Sequence, residues 1–358
     1  MCSTNRILLN HREKNFSMSK YINRAVVLAQ RPNGEPKNED FRIEVQALPE
    51  LAKGEILVRT LWLSLDPYMR PRMNDMKSYS EPTPIGGTMT GEVVGVVMES
   101  RSDNYSVGDR ITAYGGWQEY FIKPDNAPMM YKIQATDIPL QAYLGAVGMT
   151  GRTAYFGLNE IGQPQKGDTL VVSAASGAVG GIVGQIGKMQ GCTVIGIAGG
   201  TEKCKFVVEE LGFDACVDYK AGNLEQDLQQ ACPDGIDIYF ENVGGAVTRA
   251  VAKLMNPGSR VAICGYVSNY NDTDLSKIQT PQDILATSPN PPTGRFFIQT
   301  EWQDQHPQTT QKLAQWVKNG ELIYRESIAE GIEQSISAFQ GMLTGKNFGK
   351  QLVRISAE

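Results

Sequence analysis

Residues 171–191, "VVSAASGAVGGIVGQIGKMQG", decide the fold. The stretch opens on an apolar, β-branched run, passes through a turn of small residues, and continues with helical spacing. Strand, small-residue turn and helix in succession make a dinucleotide-binding turn, where N–H groups at the helix start receive a pyrophosphate. The usual fingerprint is G-x-G-x-x-G, and here Ala175 stands where the first glycine belongs. Gly177 and Gly180 keep the positions that need close backbone approach, with Ser176, Ala178 and Val179 around them. Alanine suffices at the first position if the turn there does not need positive φ. Gly181, Gly184 and Gly187 follow inside the helix, each unfavourable by roughly 1 kcal/mol against alanine. Together they predict a helix pressed close to its sheet.

The texture around this stretch agrees. From Gly167 onward, strand candidates "TLVVSA", "TVIGIA", "ACVDY", "IDIYFEN" and "RVAICGY" alternate with helical candidates over residues 179–190, 202–211, 224–231 and 246–255. Five strands with intervening helices predict βαβ units in a doubly wound parallel sheet, an α/β fold. Upstream, residues 25–124 are β-like: "RAVVLAQ", "FRIEVQAL", "EILVRTLWLSL", "TMTGEVVGVVM" and "DRITAYGGWQEYFI" are separated by turns such as "QRPNGEPKNED". That spacing predicts a barrel or sandwich. Near the end, "GIEQSISAFQGML" predicts a helix and "KQLVRI" a strand returning to the first domain.

The bulk numbers exclude several classes. A chain of 358 residues suggests two domains, and 41% apolar with 20% charged residues describes an ordinary globular protein. A formal charge of −5 carries no basic excess for a nucleic-acid partner. No apolar run has the length of a membrane span. Residues 1–17 hold an apolar core of only Ile7, Leu8 and Leu9, too short for a signal peptide, and are read as a disordered extension before an alternative start at Met18. The six cysteines are dispersed without a C-x-x-C pair, and only His11 and His306 could join them. That pattern predicts no zinc site and a reducing, cytoplasmic setting.

The cofactor type is read one strand later. A ribose without a 2′-phosphate is usually held by Asp or Glu about 20 residues after the glycine turn. Here the chain reads "IAGGTEKCK": Ala198, Gly199 and Gly200 bring no carboxylate to the strand tip, and Thr201 and Lys203 open the next helix. A hydroxyl, an ammonium and free N–H groups favour a phosphate, so NADPH is expected over NADH. Glu202 is the residue that argues the other way.

These residues resemble a known family. "LSLDPYMRPRM", "GMTGRTAYFGL", "AASGAVG", "AGGTEKC", "IYFENVGG", "ICGYVSNYN" and "KNFGKQLV" together resemble the medium-chain dehydrogenase/reductase superfamily. More closely, the chain is similar to the zinc-independent, NADPH-dependent 2-alkenal and prostaglandin (leukotriene B4 hydroxydehydrogenase) reductase family, nearest its bacterial curcumin/dihydrocurcumin reductase branch. The resemblance implies a doubly wound Rossmann domain over residues 146–325 and a β-rich GroES-like catalytic domain over residues 18–145 and 326–358. It implies that Lys203 meets the 2′-phosphate with Tyr219 nearby, and that Asn242 sits near ribose and diphosphate. Met149 and Asn347 would reach the nicotinamide region, and the turn Ser176–Gly180 with Thr153, Gly199, Thr201, Cys264, Tyr270 and Phe297 would complete the cofactor shell. Zinc-dependent relatives carry ligands where this chain has "LDPYM" and "GGTMTGE", which contain neither Cys nor His. A homodimer is also implied.

The chemistry follows from the missing metal. Reducing a plain ketone calls for alkoxide stabilisation, which a metal aids. In an α,β-unsaturated ketone or aldehyde, hydride adds to the β-carbon and the charge spreads into an enolate that hydrogen-bond donors can hold. The α-carbon then takes a proton from a tyrosine or water, and a tyrosine with pKa near 10 suits the donor role. Tyr270 in "SNYN" is the expected catalytic donor; Tyr68, Arg70, Met73, Tyr79 and Tyr266 are the expected substrate contacts. Met69, Met76, Trp117 and Phe121 either line the same pocket or fill a core. Residues 286–302 depart from the family pattern, and Pro289, Pro291 and Pro292 forbid a continuous helix there. The expected function is an NADPH-dependent oxidoreductase acting on CH–CH groups of small-molecule enones and enals, curcumin-type substrates included. The alternatives are a zinc-independent quinone reductase and a catalytically idle NADPH-binding protein.

Overall fold

The computed structural model describes residues 18–76, 80–134 and 137–358. The expectations for residues 1–17 and for Tyr79 therefore lie outside the described residues. The elements run β1 (Met18–Leu28), β2 (Phe41–Pro49), β3 (Glu55–Ser64), β4 (Val93–Ser100), β5 (Arg110–Ala113), β6 (Tyr120–Pro124), β7 (Tyr131–Lys132) and α1 (Met149–Phe156). Then come β8 (Thr169–Ser173), α2 (Gly180–Met189), β9 (Thr193–Ala198), α3 (Thr201–Glu209), β10 (Ala215–Asp218), α4 (Leu224–Ala231), β11 (Ile236–Glu241), α5 (Gly245–Ala252) and β12 (Met255–Ile263). The chain closes with α6 (Pro281–Leu285), β13 (Thr293–Phe296), α7 (His306–Lys318), β14 (Glu326–Glu330), α8 (Ser335–Leu343) and β15 (Lys350–Arg354).

The strands β8 to β13 form one parallel sheet in the order β10-β9-β8-β11-β12-β13. Order reverses between β8 and β11, so their carboxyl ends flank the switch point where such sheets bind ligands. The apolar runs made strands because both faces are covered: Leu170, Val172 and Phe240 pack on one side, Val171, Ile195 and Tyr239 on the other. Helix α2 lies as close to the sheet as its glycines predict. A Cβ at Gly184 would stand 1.8 Å from the Phe213 ring, and one at Gly187 would stand 2.5 Å from Leu170. The small-residue turn holds one surprise. Positive φ falls on Ala174 (50°), not on Ala175, whose methyl is fully buried and sits 2.8 Å from where Gly196 would carry a Cβ.

The second sheet runs β14-β15-β3-β4-β5-β7 with β6 also paired to β3, while β1 and β2 form an antiparallel ribbon. The return strand is where "KQLVRI" predicts it: β15 pairs antiparallel with β3, Leu352 opposite Ser64. Its core joins Val26, Ile56, Val93 and Trp117 with Phe339 of α8.

Several elements lie outside those expected, among them α1, α6, α7, β13 and β14. A sixth parallel strand, β13, reads "TGRF", three of whose four residues are exposed; an edge strand with no apolar alternation sends no periodic signal. Helix α7 carries Pro307 in its first turn and buries only His306, Thr309 and Leu313. Helix α6 stops at Leu285, ahead of the three prolines. Among the described residues no helix is long and apolar enough to cross a membrane.

Candidate functional site

The small-residue turn after β8 faces the C-terminal return. Gly177 N–H donates to Ala174 O (2.9 Å), and Gly177 forms a bridge with Gly349. A crevice opens between them, lined by Ser176, Gly177 and Ala178 on one side and by Tyr324, Arg325 and Gly349 on the other. A side chain at Gly180 would drive its Cβ to 2.4 Å from Ala174 O, so the turn admits no bulk.

The tip of β9 lies beside this crevice. Gly200 precedes α3 with φ 99°, and its N–H donates to Asp218 Oδ1 (2.7 Å), which also accepts from Lys220 N–H (3.0 Å). Tyr219 lies across Gly199, where a Cβ would be 2.8 Å from its ring. Thr201 is exposed in the first turn of α3. Lys203 donates through Nζ to Gly345 O (2.9 Å) and Asn347 O (2.8 Å), and burial, then the Lys220 charge, pull its pKa down. An ammonium has three donors, so one remains for an anion. Arg325, which sequence reading passed over, stacks on Phe348 at 3.9 Å. Lys203 and Arg325 both lie over the Phe348 ring, at 5.9 and 3.9 Å, a pair of cations that fits a phosphorylated ribose, while the Asp218 carboxylate beside them is held by the Gly200 and Lys220 N–H groups.

Asn347 accepts from Lys203 at its backbone carbonyl (2.8 Å), and its side-chain Nδ2 donates to Gly349 O (2.8 Å). Phe297 is a correction: it is buried, edge-on to Phe240 at 6.1 Å, and a Cβ at Gly157 would be 2.3 Å from its ring. That ring is core, and it does not face the crevice.

The switch point builds the other end. Glu241, fully buried, accepts from Ser173 Oγ (3.1 Å), Val243 N–H (2.7 Å), Gly244 N–H (3.0 Å) and Thr248 Oγ1. It thereby shapes the turn carrying Asn242, whose Nδ2 donates to Ser173 O (2.8 Å). The loop after β12 is tied to that turn: Cys264 N–H donates to Glu241 O (2.9 Å) and Val267 N–H to Asn242 O (3.2 Å). Burial pushes the Cys264 thiol up to about 12, which leaves it protonated. Tyr270 folds back over this loop. A Cβ at Gly265 would stand 2.8 Å from the Tyr270 hydroxyl and 4.0 Å from Asn242 O. Tyr266 packs edge-on to Tyr270 at 5.7 Å. Met149 starts α1 and accepts from Tyr114 OH at its sulfur (3.8 Å), while Thr153 Oγ1 donates back to Met149 O (2.8 Å).

The catalytic-domain candidates divide. Tyr68 is half-buried, with the Arg72 guanidinium 5.5 Å from its ring centre. Met69, Met73 and Trp117 are fully buried in the β-domain core, which corrects the expectation that Met73 touches substrate. Arg70 is 1% exposed and donates to three protein oxygens: Nε to Asn271 Oδ1 (3.0 Å), Nη1 to Asn74 Oδ1 (2.7 Å) and Nη2 to Gly34 O (2.8 Å). Its fork is committed to the fold, so its role as a substrate clasp is not carried forward.

The segments "LDPYM" and "GGTMTGE" meet in a buried charge cluster. Lys350 Nζ donates to Asp66 Oδ1 (2.6 Å) and Leu65 O (2.8 Å), and Arg152 Nη2 lies 3.8 Å from Glu92 Oε1. Burial raises the Glu92 pKa to about 7 against the pull of Arg152. Among the described residues no group of three or more His, Cys, Asp or Glu could hold a metal ion.

Comparison with known proteins agrees with this geometry. Residues 24–131 match the model for the N-terminal domain of oxidoreductase, and residues 178–289 the model for zinc-binding dehydrogenase. The chain is 44% identical over 348 residues to the NADPH-dependent curcumin reductase of Escherichia coli (strain K12), covering 96% of this chain and 100% of that protein. It is 38% identical to the 2-alkenal reductase (NADP(+)-dependent) of Nicotiana tabacum, over 94% of this chain and 98% of that one. The crystal structure of CurA in complex with NADPH from Vibrio vulnificus superimposes with a TM-score of 0.88 at 44% identity, covering 94% of this chain and 100% of that chain. The chain belongs to the medium-chain dehydrogenase/reductase superfamily, in its 2-alkenal and prostaglandin reductase family.

Proposed function

We propose that this protein is an NADPH-dependent oxidoreductase that reduces the C=C bond of α,β-unsaturated ketones and aldehydes. The observation that carries the reading is the Tyr270 hydroxyl folded over Gly265 beside Asn242, at the switch point of the sheet. The relatives named for curcumin and 2-alkenal reduction support the same substrate class. NADPH, when bound, supplies a hydride for the β-carbon of the enone.

This chain's residues do the rest. Lys203 and Arg325 hold the 2′-phosphate, Tyr219 covers the adenosine end, and the Ser176–Gly180 backbone receives the diphosphate at the start of α2. Asn242 and Met149 border the reacting end. Tyr270, a phenol that stays protonated at neutral pH, donates a hydrogen bond to the developing enolate oxygen; the α-carbon then takes its proton from this hydroxyl, which regains one from water, and the carbonyl re-forms. Tyr266 and Tyr68 form aromatic walls for the substrate. Zinc has no part in this scheme, because a conjugated enolate needs a hydrogen-bond donor where an isolated alkoxide would need a Lewis acid. A cytoplasmic homodimer belongs to the same reading, and size-exclusion chromatography at twice the chain mass tests the dimer.

Steady-state turnover with NADPH on 2-alkenals, acyclic enones and quinones tests the proposal. Enones and enals are expected as the best substrates. Turnover of quinones alone would replace the reading with a quinone reductase, and no NADPH oxidation across the panel would leave a binding protein.

A further inference from the structure

The loop that carries Tyr270 is anchored to both domains. On the Rossmann side, Val267 N–H donates to Asn242 O (3.2 Å) and Ser268 N–H to Val243 O (2.9 Å). On the other side, Asn271, the residue next to Tyr270, accepts from Arg70 Nε (3.0 Å), which belongs to the β-rich part of the chain. The same guanidinium holds Asn74 Oδ1 and Gly34 O, so its plane is set by two further loops. Gly34 itself packs against the Tyr270 loop: its Cβ position lies 4.0 Å from Asn271 O and from Thr273 Cγ2.

All three partners of this 1% exposed arginine are neutral oxygens of the protein. The buried Asp40 carboxylate supplies a nearby counter-charge; burying a charge is costly even so, and an apolar side chain would serve simple packing better. What a planar, rigid fork adds is the relative placement of the groups it joins. Here it joins two loops of one domain to the residue beside the proposed proton donor.

We propose that Arg70 is a positioning residue: through Asn271 it fixes the Tyr270 hydroxyl against the cleft, coupling the seating of the two domains to the placement of the donor. This rests on the assignment of Tyr270 above. Displacing a reacting group by about 1 Å costs up to roughly a hundredfold in rate, which is the scale to expect if the loop is released.

The test uses Asn271, which is half-buried on the loop and whose loss leaves Arg70 its other two partners. Asn271→Ala, Asn271→Asp, Tyr270→Phe and Tyr270→Phe/Asn271→Ala are compared with NADPH and an acyclic α,β-unsaturated ketone, alongside NADPH binding followed by nicotinamide fluorescence. Asn271→Ala is expected to lower kcat about ten- to a hundredfold with NADPH affinity unchanged. Asn271→Asp, which keeps an acceptor for Arg70, restores most of kcat. In the Tyr270→Phe background, Asn271→Ala adds no further loss, because the residue acts through the hydroxyl already removed. An unchanged kcat in Asn271→Ala, with Tyr270→Phe impaired, overturns the positioning role and leaves the donor intact. Fully additive losses in the double variant overturn it as well. An unimpaired Tyr270→Phe removes the donor assignment and the positioning role together.

Discussion

Replacing Glu92 by Gln should change the pH dependence of stability in a direction opposite to that of most carboxylates. Glu92 is 1% exposed, its Oε2 has no hydrogen-bond partner, and the Arg152 guanidinium stands 3.8 Å away, with the Asp66 and Lys350 charges acting on it in opposite directions. Burial outweighs that attraction and lifts its pKa from 4.5 to about 7. Between these two values the folded protein keeps a proton that the unfolded chain has released, so stability falls as pH rises through the window. That rise corresponds to roughly 3 kcal/mol at full deprotonation, most of it lost between pH 5 and 8. Glutamine mimics the protonated acid at every pH. The variant should therefore match the native protein near pH 5 and exceed it at pH 8, and the Arg152 contact is already included in the pKa. Urea unfolding of both proteins at pH 5 and 8 measures the difference. A stability gap that stays constant with pH, or widens in favour of the native protein at pH 8, refutes the reasoning.

Lys203→Ala should raise KM for NADPH about ten- to a hundredfold, the range of a lost charge-assisted contact, with NADH use unchanged; equal effects on both cofactors would remove the 2′-phosphate role. Gly184→Ala places a methyl 1.8 Å from the Phe213 ring, so unfolding should show a loss of about 1–3 kcal/mol despite the helix-propensity gain; a higher Tm would contradict the close packing of α2. Gly265→Ala sets a Cβ 2.8 Å from the Tyr270 hydroxyl and should lower kcat with NADPH affinity unchanged; an unaltered kcat would show that the hydroxyl is not held there during turnover.

The parallel sheet was legible because the middles of β8, β9 and β11 are buried on both faces and read as apolar runs. The close seat of α2 could be read in Gly184 and Gly187 for the same reason: only a crowded helix tolerates that composition. Side-chain direction was not legible. Met73 and Phe297 carry apolar groups that look alike in sequence whether they face a cleft or a core, and burial alone separates them. The contact of Asn347 with Lys203, 144 positions away in the chain, was not legible either. Arg325 and Asn271 left no local signal, since their roles come from Phe348 and Arg70, which only the fold brings beside them. The strain at Ala174 was displaced by one residue, a detail that depends on how the turn meets Gly196.

The regiochemistry of the product tests the central claim most directly. Turnover of an acyclic enone with NADPH deuterated at the transferable position, followed by NMR of the product, should give the saturated ketone with deuterium on the β-carbon. Deuterium on a carbinol carbon, with the double bond intact, would contradict the account.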